Sequence, residues 1–241
     1  GLEGERFFQK HVGKGFPKDI KTLSIEESDG DRADYMYVST ASGLVGAAQM
    51  GTLEFHIWGA QRDNLDRPDR MVFDLDPDES LSFADVTSAA TDLRDLLADL
   101  DLPSWPLVTG GKGVHVVVPL RRIAGWDTVK LFSRVLATHL AETQPDRFTA
   151  SMSKARREGR IFIDWLRNER GATAIAPFSL RARPGAPVAT PVAWQELAKL
   201  NSANAFRIAD VAERGWSNID RPSPTGLSEQ RIDKLDKLVG N

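Results

Sequence analysis

The chain has no cysteine, and this absence excludes several kinds of site at once. Without thiols there is no disulfide framework, no cysteine nucleophile, and no zinc or iron–sulfur centre held by thiolates. No apolar run approaches the roughly 20 residues that span a bilayer, and the first residues show no export signal. We therefore expect a cytoplasmic protein without a membrane partner.

What is present is an ordinary globular composition: 241 residues, 41% hydrophobic and 27% charged. The net charge of −3 conceals two segments of opposite sign. Residues 74–101 carry nine acidic residues and one basic residue, whereas residues 154–183 carry eight basic and three acidic residues. A helix with a solvated outer face accounts for much of the acidic segment, but the basic segment is compatible with a polyanionic partner.

The order of the predicted elements favours a mixed α+β fold. Strands are predicted at residues 34–39, 53–58, 71–75, 105–109, 114–120 and 161–165, and helices at 41–50, 83–100 and 127–142. Helices and strands do not alternate steadily, as they would in a doubly wound fold. We expect one catalytic domain over residues 1–241, with residues 201–241 forming its helical tail.

Two acids stand at the end of an apolar strand, in the segment VFDLD. Asp74 and Asp76 are two residues apart, so their carboxylates share one face of the strand while Leu75 points into the core. Placing two like charges together is unfavourable unless a cation lies between them, and hard oxygen ligands suit Mg²⁺ or Mn²⁺. The alternative is a strand end that turns through Asp76-Pro77-Asp78 with exposed carboxylates.

A third acid, Asp164, lies in the apolar segment IFIDW. An ionised carboxylate in such a strand needs a cation nearby. That cation is either an arginine, Arg167 or Arg181, or a metal ion. If Asp164 converges on the other two acids, the three carboxylates form a site suited to two-metal phosphoryl chemistry.

The segment TGGKGVH links two predicted strands. Its glycines allow backbone amides to approach an anion, Lys112 adds positive charge, and Thr109 offers a hydroxyl. It is not a Walker A motif, since GxxxxGK[ST] is absent. A tight hairpin explains the glycines equally well, and each of the nearby histidines, His56 and His115, could be structural.

Three segments together resemble the primase-polymerase domain of bacterial DNA ligase D, which belongs to the archaeo-eukaryotic primase superfamily. They are EFHIWGAQRDNLDRPDRMVFDLDPD, LVTGGKGVHVVVPL and GRIFIDWLRNERGATAIAPFSLRARPGAPVATPVAW. The similarity runs from about residue 5 to residue 200. It implies an α+β fold with two mixed or antiparallel sheets flanked by helices and an active site in the central cleft.

The resemblance also implies an activity: a nucleotidyltransferase that adds ribo- or deoxyribonucleotides to DNA 3′ ends during end-joining repair. Asp74, Asp76 and Asp164 would hold two Mn²⁺ or Mg²⁺ ions. The residues implied to contact the incoming NTP or dNTP are His56, Thr109, Lys112, His115, Arg167 and Arg181, with Lys10 of the FFQKH segment added less directly. Thr109 replaces the serine that is usual in the family.

The implied partners are DNA ends, ligase and phosphoesterase domains of the same polypeptide, and the end-binding protein Ku, in a nucleoid-associated setting. Family members usually carry a further segment before GERFFQKH, with basic residues that grip a 5′-phosphate, and we expect that segment to be missing from this chain.

Two other functions remain as alternatives. A haloacid-dehalogenase-type phosphatase also has an apolar strand that ends in DxD, but that chemistry requires Thr or Val two residues beyond the second acid, and Pro77-Asp78 follows here. A non-catalytic nucleic-acid-binding module would not need three carboxylates in apolar strands, because they repel a phosphate backbone.

Overall fold

The computed structural model describes residues 5, 7–27, 29–212, 214, 219 and 221–240. The chain forms two compact units, Gly1–Glu54 and Phe55–Asn241. In the first unit, an antiparallel hairpin of β1 (Lys21–Glu26) and β2 (Arg32–Tyr37) precedes helix α1 (Ala41–Gln49). The Thr40 hydroxyl accepts a hydrogen bond from the Gly43 amide and caps α1. The predicted strand and helix of this region are confirmed, whereas β1 was not predicted.

The second unit contains the remaining strands and helices. Its strands are β3 (His56–Trp58), β4 (Ala60–Gln61), β5 (Asn64–Pro68), β6 (Arg70–Pro77), β7 (Trp105–Val108), β8 (Val114–Pro119), β9 (Phe148–Thr149), β10 (Ile161–Asp164), β11 (Thr173–Ile175) and β12 (Thr190–Pro191). Its α-helices are α2 (Phe83–Asp99), α3 (Trp126–Thr143), α4 (Trp194–Leu197), α5 (Ile208–Val211) and α6 (Glu229–Val239). Short 3₁₀ helices cover Lys154–Arg156 and Leu166–Asn168.

A six-stranded sheet organises this unit, with strand order β12-β7-β8-β6-β10-β9. All neighbouring pairs are antiparallel except β9 and β10, which are parallel. Two further pairs, β3 with β11 and β4 with β5, form small antiparallel sheets. The α+β class is thus confirmed, with one large sheet and small two-stranded ones.

The two faces of the large sheet have different roles. On β6, the alternate residues Met71, Phe73 and Leu75 are fully buried in a core that includes the apolar sides of α2 and α3. Helix α2 starts at a capping box, in which Ser82 and Asp85 each bond the other's backbone amide. The residues between the buried ones on β6 face the other way, and the acids are among them.

Strand β6 is longer than its sequence predicts. The expectation that it stops at Leu75 is wrong: β10 pairs with β6 from Asp74 to Pro77, so Asp76 belongs to the strand. A proline is compatible with this position because it ends the strand. No described helix is long and apolar enough to cross a membrane.

Candidate active site

The three predicted acids lie on adjacent strands of the large sheet. Asp74 on β6 is paired in register with Asp164 on β10, and Asp76 is paired with Phe162. Paired residues of antiparallel strands point to the same side, so Asp74, Asp76 and Asp164 share the face that turns away from α2 and α3. This register brings Asp164 beside the other two acids, an arrangement that the sequence pattern left open.

One arginine joins two of these acids. Arg167, in the 3₁₀ helix that follows β10, places Nη2 3.1 Å from Asp74 Oδ2 and Nε 3.2 Å from Asp164 Oδ2. Asp164 also accepts a hydrogen bond from the Leu166 amide at 3.0 Å. The salt bridge between Asp164 and Arg167 that the sequence left as an alternative is therefore present, and Asp74 shares it.

Asp74 is the best-compensated carboxylate of the three. His115, opposite it on β8, is almost fully buried and places Nε2 3.5 Å from Asp74 Oδ1. Burial raises the pKa of Asp74, but the charges and hydrogen bonds of His115 and Arg167 outweigh burial and lower the pKa to about 2. Asp74 is consequently ionised throughout the physiological range.

The other two acids carry negative charge that is less well balanced. Burial raises the pKa of Asp76, and the nearby carboxylates of Asp74 and Asp164 add to that effect against the opposing influence of Arg157. Burial likewise raises the pKa of Asp164, with Arg167 opposing it and Asp74 adding to it. Arg157 Nη1 lies 3.6 Å from Asp76 Oδ2, and its guanidinium stacks 3.7 Å from the centre of the Phe162 ring.

The glycine turn between β7 and β8 lies directly against β6. A Cβ at Gly113 would lie 2.3 Å from the Leu75 carbonyl oxygen, so only glycine allows this approach. The Thr109 hydroxyl donates to the Gly113 carbonyl at 2.9 Å and accepts from the Gly111 amide at 3.2 Å. Thr109 therefore holds the turn closed, and Arg181 Nη1 donates to the Thr109 carbonyl at 2.8 Å from outside.

Acids and basic residues meet around a cavity of about 200 Å³ in the second unit. Its lining includes Asp74, Asp76, the glycine turn, and several cationic side chains. Of the ten predicted site residues, eight line it: His56, Asp74, Asp76, Thr109, Lys112, His115, Arg167 and Arg181. Asp164 adjoins the cavity through Arg167, while Lys10 belongs to the first unit.

Two predicted lysines have acidic partners. Lys112, at the tip of the turn, forms an ion pair with exposed Glu79 at 2.7 Å. Lys10 lies 3.1 Å from Glu27 Oε1 and donates to the Tyr35 hydroxyl at 2.9 Å. Both side chains of the Lys112–Glu79 pair are exposed, so Lys112 can exchange its partner for a phosphate at small energetic cost. The partners of Lys10 are half-buried.

Residue-by-residue prediction missed three positions of the site. Arg183 lines the cavity beside the glycine turn, and Arg157 approaches Asp76. Both belong to the basic segment 154–183, whose charge is compatible with a polyanionic partner but does not indicate these two residues individually. Asn168, buried behind Arg167, has no signal in a single sequence, because an asparagine after Arg167 is typical of an exposed turn.

The three acids are ligands of the type that a divalent cation prefers, although arginine side chains contact them in this structure. Within the part of the chain that the structure describes, no three Asp, Glu or His side chains form a ready-made group for a metal ion, and Arg167 lies between Asp74 and Asp164. Nevertheless, all three offer hard oxygen ligands on one face. The raised pKa of Asp76 and Asp164 marks negative charge that a cation would stabilise.

Comparison with known proteins agrees with this geometry. Residues 1–220 match the family model described as LigD, primase-polymerase domain. The chain is 42% identical over 214 residues to the multifunctional non-homologous end joining protein LigD of Pseudomonas aeruginosa, covering 89% of this chain and 25% of that protein. It is 36% identical over 237 residues to the protein of the same name from Mycolicibacterium smegmatis, covering 98% and 31%.

A solved structure is also similar. The polymerase domain from Mycobacterium tuberculosis ligase D in complex with DNA superposes with a TM-score of 0.79 at 30% identity, covering 89% of this chain and 78% of that one. The chain spans about a quarter to a third of the length of the two curated relatives described above.

Proposed function

We propose that this chain, which belongs to the family of LigD primase-polymerase domains, is a metal-dependent nucleotidyltransferase that extends DNA 3′ ends with ribo- or deoxyribonucleotides during end joining. The observation that carries the proposal is one cavity whose lining contains both the acids Asp74 and Asp76 and the basic residues Lys112, Arg181 and Arg183. A triphosphate needs both kinds of group, since it carries charge itself and arrives with metal ions.

Asp74, Asp76 and Asp164 are the residues that would hold two Mn²⁺ or Mg²⁺ ions. Bound divalent cations would supply charge neutralisation at the phosphates and a more acidic 3′-hydroxyl. The sheet contributes the preorganisation: the register of β6 and β10 fixes the acids on one face before any substrate binds. His115 contributes by keeping Asp74 ionised and oriented.

The basic side chains that line the cavity are proposed to bind the triphosphate. Arg181 and Arg183 flank the glycine turn, and Arg181 is fixed by its hydrogen bond to the Thr109 carbonyl. Guanidinium groups suit phosphate oxygens because they donate two parallel hydrogen bonds. Arg167, Lys112 and His56 complete the lining, and Thr109 supports the turn.

Lys10 remains a predicted nucleotide or DNA contact in the first unit. Residues 1–241 are proposed to act as one catalytic domain, with 201–241 as its tail. The partners that the family resemblance implies, and that we propose, are DNA ends, ligase and phosphoesterase domains of the same polypeptide, and Ku, in the bacterial cytoplasm.

A primer-extension assay tests the proposal. Labelled nucleotide should be added to a primer–template or an end with a 3′ overhang in the presence of Mn²⁺, and Asp76→Asn should abolish addition. Arg122→Ala serves as control, since Arg122 pairs with Asp63 and does not line the cavity. The family resemblance implies that ribonucleotides are added more efficiently than deoxyribonucleotides under matched conditions.

The same preparation distinguishes the alternatives. Hydrolysis of a phosphomonoester without primer extension would favour a phosphatase. Binding of labelled DNA without either reaction would favour a non-catalytic module. Either result would overturn the polymerase proposal.

A further inference from the structure

Asn168 is a buried polar residue beside the active site that the proposed chemistry does not use. It is the last residue of the 3₁₀ helix Leu166–Asn168, and only 2% of its surface is exposed. A buried carboxamide is unfavourable unless its donors and acceptor are hydrogen-bonded, so its partners indicate what it does.

The partners of Asn168 are the main-chain groups of one residue of β6. Strand β10 pairs with β6 only from Asp74 to Pro77, so it does not reach Val72. Asn168 takes the place of the next strand residue: its Oδ1 accepts from the Val72 amide at 2.7 Å, and its Nδ2 donates to the Val72 carbonyl at 2.8 Å. A carboxamide has the same donor and acceptor as a peptide group, and Asn168 extends the β-ladder by one rung.

This rung fixes the segment that carries Arg167. Asn168 Nδ2 also donates to the Trp165 carbonyl at 3.0 Å. The Asn168 side chain therefore connects the residue before the 3₁₀ helix, Trp165, to Val72 of β6. Arg167 lies within this connected segment, and its guanidinium reaches Asp74 and Asp164. The Asn168 side chain is buried and points at backbone, so it has no access to substrate.

We propose that Asn168 is a positioning residue that holds Arg167 in place for nucleotide binding; this rests on the proposed role of Arg167 in the cavity. Without the carboxamide, the 3₁₀ turn loses its attachment to Val72. Arg167 has a long, partly exposed side chain, which then samples more orientations. Nucleotide binding must in that case bear the entropy cost of ordering the Arg167 side chain.

A double-mutant cycle on nucleotide binding tests this. The dissociation constant of an NTP is measured in Mn²⁺ without DNA for wild type, Asn168→Ala, Arg167→Ala and the double variant, and KM and kcat are measured with primer. Asn168→Ala and Arg167→Ala should each weaken binding and raise KM about tenfold, the effect expected for one hydrogen bond to a charged group. The double variant should be no weaker than Arg167→Ala alone, because Asn168 acts through Arg167.

Two comparisons separate positioning from simple loss of stability. Val86→Ala removes buried side-chain volume from α2, away from the 3₁₀ turn, and should lower the melting temperature while leaving KM unchanged. Asn168→Asp keeps the acceptor for the Val72 amide but loses both donations. It replaces Asn168→Ala in the cycle if that variant does not fold. Hydrogen exchange at the Val72 amide should rise in Asn168→Ala and stay slow in Asn168→Asp.

Each outcome is decisive. If Arg167→Ala binds nucleotide normally, the proposed role of Arg167 fails, and the role of Asn168 fails with it. If Arg167→Ala weakens binding but the Asn168 variants do not, or if the two effects multiply in the double variant, the positioning role alone is overturned.

Discussion

Asp74 and Asp164 lie directly opposite each other on antiparallel strands, and both carboxylates contact the guanidinium of Arg167. Two acids of this kind would repel each other if left alone. The arginine balances part of that charge. The raised pKa of Asp76 and of Asp164 shows that their negative charge is less well balanced than that of Asp74.

The first prediction is that substituting two acids of the same strand has opposite effects on stability without metal. Asp74→Asn removes the ion pair to Arg167 and the charged partner of His115 Nε2, and should destabilise the protein by about 1–3 kcal/mol. Asp76→Asn removes a charge that the fold disfavours and should raise the melting temperature by about 1–2 °C. Thermal melting in EDTA at pH 7 measures both.

The pH dependence supplies the control. Because the pKa of Asp76 is raised in the folded state from 3.8, ionisation of this carboxyl weakens folding progressively as the pH rises above 3.8, and the effect is complete above the raised pKa. Below pH 3.8 the carboxyl is mostly protonated in both states, so the advantage of Asp76→Asn should disappear. An advantage that is constant from pH 3 to pH 7 would contradict the electrostatic cause.

The second prediction concerns Asp164→Asn. The asparagine keeps an oxygen for the Leu166 amide, while Arg167 retains Asp74 as a partner, so the variant should fold and melt within a few degrees of wild type. It should bind NTP with little change, but nucleotide addition should be lost, because the charge that would help hold a second metal ion is gone. Melting, NTP titration and primer extension on this one variant provide the measurements.

A poorly folded Asp164→Asn protein would instead mean that its ion pair with Arg167 is mainly structural, with a cost of about 3–5 kcal/mol for breaking a buried pair. Continued extension of primers would remove Asp164 from the catalytic set.

The third prediction is that Gly113→Ala disrupts the turn. Its Cβ would meet the Leu75 carbonyl at 2.3 Å, so β6 and the turn must separate, with an expected loss of about 2–4 kcal/mol in the free energy of unfolding and weaker NTP binding. Gly111→Ala is the matched control, because the atom nearest to its added Cβ is the Thr109 hydroxyl oxygen, at 3.3 Å. Chemical denaturation of both variants decides; equal stabilities would show that the turn has room to adjust.

The fourth prediction concerns the basic side chains that line the cavity. Arg181→Ala should raise the KM for NTP about tenfold with a smaller change in kcat, since a guanidinium that binds the triphosphate contributes mainly to substrate affinity. His115→Ala should also raise KM, because it releases Asp74 at the cavity wall. Steady-state kinetics of each variant beside Arg122→Ala measure this, and an unchanged KM would remove that residue from the site.

Much of the fold and site follows from local sequence pattern. The alternation in VFDLD and IFID correctly predicts acids on one face and apolar residues on the other, because side chains of a strand alternate whatever its surroundings. The limits of β6 were less predictable: Asp76 and Pro77 belong to the strand because β10 pairs with them, and that neighbour is more than 80 residues distant in sequence. The double contact of Arg167 and the burial of Asn168 depend on the same long-range pairing.

The alternation along β6 also limits which mutations the gene can tolerate. Single substitutions affect either the packed side, such as Phe73, or the chemical side, such as Asp74, and each side can vary without the other. Insertion or deletion of one codon within residues 71–77 exchanges the two sides, driving carboxylates against α2 and α3 and leucine into the cavity. This strand should therefore tolerate the replacement of one side chain better than any change in its length.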